Sequence, residues 1–137
     1  MIKSILRPID EVRLDFELRA HLALHCLLSS PPALIRIIAM AYYIEIAWQG
    51  GRRAFKTPPK ALVPARELID RLLLGLEQGE MLSILSCEEW QILQGGVICA
   101  DGVCQRIPPV ALQNAMVAAR AILVEDASGL PPRETGL

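Results

Sequence analysis

Three groups of side chains in this chain have types and spacings that chemistry could use. The first is Cys99 and Cys104, which flank Asp101-Gly102. Asp-Gly is a strong two-residue turn signal. If it closes a short β-hairpin over residues 97–107, Ala100 and Val103 form the hydrogen-bonded pair. The two cysteines then form the closer, non-hydrogen-bonded pair. That is near disulfide range and would suit a redox switch. The plain alternative is two small buried thiols; the spacing is not that of a CxxC motif.

The second group is Glu17, His21 and His25, spaced i, i+4, i+8. On a helix they form one stripe, and two histidines at i, i+4 can share a metal ion. A zinc site needs four ligands, or three plus water. Cys26 is turned about 100° away from the stripe, and Cys99 and Cys104 help only if the fold brings them close. The spacing alone completes no site, so neither a metal nor a cofactor is expected. A partly exposed polar stripe with a Glu–His pair accounts for the same residues.

The third group is Arg52, Arg53, Lys56 and Lys60 around Phe55, with no acid among them. Such a loop can contact phosphates. It can equally be a solvated connector stiffened by Pro58-Pro59. The chain contains no GxSxG, HExxH, P-loop or GxGxxG pattern. The reading is therefore non-enzymatic, with enzymatic activity left open.

These groups must be positioned by a framework that composition describes well. The 137 residues fit a single domain, long enough to bury a core. They are 53% hydrophobic and only 4% aromatic, so the apolar content is Leu, Ile, Ala and Val. Leu and Ala with Glu and Arg favour helix. The net charge of −1 gives no general attraction to nucleic acid or anionic lipid. The N-terminus shows no apolar segment of the signal-peptide kind, so a cytoplasmic location and reduced thiols at Cys26, Cys87, Cys99 and Cys104 are expected.

The expectation is an all-α, compact bundle of about five helices. Residues 97–107 are either the short hairpin or part of a helix–loop–helix. Residues 1–124 form one helical domain and residues 125–137 a flexible C-terminal tail. The first helix spans about residues 10–28. Its sequence alternates apolar and polar residues like a strand, but its helix formers and its i,i+4 pairs Asp15/Arg19 and Arg13/Glu17 favour helix. Read as a helix, it carries two apolar stripes: Val12, Phe16, Ala20, Ala23 and Leu27 on one side, and Leu14, Leu18 and Leu22 on the other. The second helix follows Pro31-Pro32 and stops at Gly50-Gly51. Between residues 33 and 48 its only charges are Arg36 and Glu45, nine residues apart and so on opposite sides. Such a helix must be surrounded, by its own domain, another subunit or lipid. A spanning helix is not expected, since charges and a proline pair interrupt every long apolar run. A third helix covers about residues 64–77. A fourth opens at a Ser86/Glu89 capping box and stops at Gly95-Gly96. A last helix covers about residues 110–124.

The functional expectation is a helical interaction or accessory protein, a homo-oligomer or the binder of a protein partner. Its contact residues are taken as Leu14, Leu18, Leu22, Tyr42, Tyr43 and Trp48. Two alternatives stand beside it. One is a small regulatory protein touching nucleic acid through residues 52–60. The other is a redox-active protein using Cys99 and Cys104.

Overall fold

A computed structural model of the chain describes residues 9–55, 57 and 59–128. It is an all-helical bundle: α1 (Ile9–Cys26), α2 (Leu34–Ala54), α3 (Leu62–Glu77), α4 (Cys87–Arg106) and α5 (Pro109–Ser128). Helix α5 runs four residues past the boundary expected from the sequence; residues 129–137 of the expected tail lie outside the described part. So does Lys56.

In α1 the helical reading prevails over the strand-like alternation. Arg13 and Glu17 form their i,i+4 pair at 2.8 Å. The stripe containing Ala20, Ala23 and Leu27 is buried. Trp90 of α4 donates its indole N–H to the Leu24 carbonyl at 2.8 Å. That carbonyl is in the last turn of α1, where intrahelical partners run out. Trp90 thus ties α4 to the end of α1 as a packing residue.

Helix α2 is the centre of the bundle and packs against α1, α3, α4 and α5. Most of its apolar surface is therefore covered by its own domain, while Leu34 and Ile35 in its first turn are exposed. No described helix is long and apolar enough to cross a membrane. The buried Glu45 accepts from Gln49 at 2.8 Å and from Nε and Nη2 of Arg66, along one edge of its guanidinium, at 3.1 and 3.2 Å. Arg66 also lies over the Trp48 ring, 4.3 Å from its centroid. A buried carboxylate is tolerated only with such partners. Among the described residues, no buried side-chain polar atom lacks one.

The glycine pairs do not end helices here. Gly50-Gly51 lies inside α2, and a Cβ on Gly50 would stand 2.6 Å from Ile107 Cδ1. Gly95-Gly96 lies inside α4, where a Cβ on Gly96 would overlap the Cβ of Ala65 in α3. Both pairs sit where neighbouring elements come close. The glycine that does end a helix is Gly79, at φ +75°. It closes α3 through Gly79 N–H to Leu76 O and Glu80 N–H to Gly75 O, the paired bonds of a Schellman turn.

Of the two alternatives for residues 97–107 the hairpin is absent: α4 runs unbroken through Asp101-Gly102 to Arg106. Its buried face is Leu93, Gly96, Val97, Ala100, Val103 and Cys104, a helical rather than an alternating period. The capping box forms as expected, with Glu89 N–H to Ser86 Oγ at 3.1 Å and Ser86 N–H to Glu89 Oε1 at 2.9 Å. Tertiary packing of that face outweighs the local turn preference of Asp-Gly.

Candidate functional site

The densest group of chemically capable side chains lies where α1 meets α4 over the middle of α2. The i,i+4 spacing puts Glu17 and His21 on one face of α1. Asp101 approaches from α4, and His21 Nε2 stands 2.9 and 3.2 Å from its two carboxylate oxygens. Tyr43 reaches the cluster from the interior. Its hydroxyl donates to Asp101 Oδ1 at 2.5 Å and lies 3.5 Å from Glu17 Oε1. Arg13 holds Glu17 from the other side.

Tyr43 is fully buried. Burial first, and then its hydrogen bond to Asp101, raise the phenol's pKa far above the ordinary value. Tyr43 is therefore a permanent donor that orients Asp101. Glu17, His21 and Asp101 are each half-buried, and one ligand atom from each lies within 4.8 Å of the others. They line an open cleft of about 450 Å³ together with Leu14 and Leu18. Two carboxylates and an imidazole converging on an open cleft can hold a divalent cation.

The second cavity is an apolar groove of about 470 Å³ between α1 and the start of α2. Phe16, Leu22, Ile35 and Tyr42 form part of its wall, with Arg19 and Arg36 beside them. The Phe16 and Tyr42 rings pack at 6.0 Å between centroids.

The residues singled out from sequence are dispersed over the fold. Leu14, Leu18 and Leu22 are exposed, at 49, 58 and 55% of their surface. Tyr42 lines the groove. Tyr43, expected at a contact surface, is instead a core residue whose hydroxyl serves the cluster. Trp48 is partly buried beneath Arg66. Arg52 and Arg53 belong to the last turn of α2 and are exposed, as is Lys60. The Phe55 ring is covered by the Arg106 guanidinium, 5.0 Å from its centroid.

Cys99 and Cys104 are free and sit on one helix. Residues five apart on a helix are separated by ~7.5 Å of axial rise, beyond what a disulfide spans without backbone movement. The facing geometry of the hairpin is thus lost. Burial pushes the Cys104 thiol up to about 12 and raises Cys99 as well, the opposite of a reactive thiolate.

Sequence reasoning found Glu17 and His21 but missed Asp101, which it assigned to a turn, and Tyr43's role. His25, the expected third member of the stripe, is exposed and outside the cluster. Asp101 is 80 residues from His21, and no local spacing could connect them.

Fold and cluster define a class only broadly: an all-α bundle with a polar cluster at one helix seam. The chain matches no protein-family model, no curated protein and no solved structure.

Proposed function

We propose that this chain is a non-enzymatic interaction protein that pairs with a second copy of itself through the outer ridge of α1. The observation carrying this reading is the exposure of Leu14, Leu18 and Leu22 on one side of a helix whose other side is buried. Of α2 only the N-terminal part contributes, since the bundle covers most of the rest. Leu22 leads directly into the groove whose rim includes Ile35, itself 78% exposed, so the apolar surface continues beyond α1. Contiguous apolar surface of this kind marks interaction sites.

The choice of a second copy rests on charge. Two α1 helices packed antiparallel about Leu18 form a closed two-fold contact. At ~100° per residue, the pairs across the axis are Leu14 with Leu22, Glu11 with His25, and Asp15 with Arg19. Each pair of charges that meets is of opposite sign or can become so. Light scattering coupled to size exclusion tests the reading. The expected result is a dimer that dissociates on dilution, and a monomer with unchanged helical content for Leu18→Arg. A wild-type protein that stays monomeric at high micromolar concentration overturns it.

A further inference from the structure

We propose that Glu17, His21 and Asp101 form a binding site for a divalent first-row transition-metal ion, in a cleft that is open to solvent in the single chain and whose wall includes Leu14 and Leu18 of the α1 ridge. Four observations carry it. The ligand atoms come from two helices and converge within 4.8 Å. Asp101 is held by the hydroxyl of the fully buried Tyr43, and Glu17 by Arg13. Metal sites depend on such outer hydrogen bonds to orient their ligands. The two carboxylates share the Tyr43 hydroxyl at 2.5 and 3.5 Å, so their negative charge is concentrated at one point. Finally, the cleft in front of them has room for the waters that complete a coordination shell.

The donor set decides the class of ion. Two hard carboxylate oxygens and one imidazole nitrogen suit Mn²⁺ or Zn²⁺, whereas thiolates would be needed for a softer ion. The converging ligand atoms belong to Glu17, His21 and Asp101, and Cys104 is not among them. Tyr43 orients without ligating. His21 binds through Nε2, the nitrogen that faces Asp101. In the metal-free protein it occupies part of the ion's place by bonding the carboxylate itself.

Mn²⁺ is the probe, because it favours oxygen and nitrogen donors over sulfur, such as that of the exposed Cys87. Titration of the full chain is followed by loss of the free Mn²⁺ electron paramagnetic resonance signal. One ion per chain is expected, displaced by Zn²⁺, which such ligands bind more tightly. In NMR spectra the His21 ring signals should broaden on Mn²⁺ addition, while those of His25 should be affected less. Glu17→Gln and Asp101→Asn should each weaken binding by at least tenfold. Tyr43→Phe, which removes an orienting bond and no ligand, should weaken it roughly 10- to 100-fold. Circular dichroism shows which variants keep the fold. Absence of binding overturns the site, and so does binding that leaves His21 unbroadened or that Glu17→Gln does not weaken. The titration is repeated in Leu22→Arg, which interrupts the exposed ridge at a residue outside the cleft lining. Retained binding there separates the metal site from the proposed pairing of two copies.

Discussion

Adding one methyl group to α4 at residue 95 or at residue 96 should change stability in opposite directions. Both positions are helical glycines. Replacing glycine by alanine in a helix interior gains ~1 kcal/mol, because the unfolded chain loses freedom. At Gly95 a Cβ meets nothing within 4 Å, so Gly95→Ala should deliver that gain nearly whole. At Gly96 the new carbon falls less than 3.0 Å from Ala65 Cβ and 3.2 Å from Ile44 Cδ1. Non-bonded carbons rest at about 3.5–4.0 Å. The isoleucine tip can rotate away, but Ala65 Cβ is fixed to the backbone of α3. The two helices must part, and overpacking of this kind costs ~1–3 kcal/mol. Taking the upper end, Gly96→Ala should be destabilised by about 2 kcal/mol net. Urea unfolding reads the difference. With a slope near ~2 kcal/mol/M, the midpoint should rise by roughly 0.5 M for Gly95→Ala and fall by roughly 1 M for Gly96→Ala. Ala65→Gly in the Gly96→Ala background should recover part of the loss, as a coupling of about 2 kcal/mol between contacting sites. Equal stabilisation by both alanines, or strict additivity of Gly96→Ala and Ala65→Gly, would refute the close approach of α3 and α4.

Three further outcomes follow from the same structure. Arg66→Ala strips the buried Glu45 of its guanidinium partner and should cost about 2 kcal/mol, less than a fully enclosed pair because Arg66 is one-third exposed; chemical denaturation measures it. Ser86→Ala removes the cap of α4 and should cost ~1 kcal/mol. The Ser86 backbone N–H and Arg71 hold the Glu89 carboxyl below its usual range. That stabilisation is present above the ordinary carboxylate pKa and lost as pH falls through the lowered one, so Glu89→Gln, which removes the carboxylate, should flatten the acid limb of the unfolding curve. Cys104 acts at the other end of the scale. Its folded pKa of about 12 lies above the ordinary value near ~8.5, so stability is unaffected below that value. It declines between the two, by ~1 kcal/mol from pH 8 to 9.5. Cys104→Ala should show a shallower alkaline decline in urea midpoints.

Residue types and spacing by themselves determined a good deal of this protein. The helical class, the two stripes of α1, the Arg13/Glu17 pair and the Ser86/Glu89 box are all local patterns. Their partners lie three or four residues away, within reach of helical periodicity. The same is true of Glu17 and His21 as neighbours on one face. What tertiary structure alone decided is everything that depends on a distant segment. Gly50-Gly51 and Gly95-Gly96 have the composition of helix stops, yet Ile107 and Ala65 pack where their side chains would be, and the helices continue. Asp101-Gly102 has the composition of a turn, yet Val97, Ala100 and Cys104 bury a helical face there. The apolar α2 demanded a cover, and only the packing of four other helices settled that its own chain supplies most of it, leaving Leu34 and Ile35 exposed. Asp101 and Tyr43 joined the His21 cluster by the same route, across 80 and 22 residues of sequence. Local preferences near ~1 kcal/mol per residue yield to burial of a whole helix face. That is why the elements were legible and the site they assemble was not.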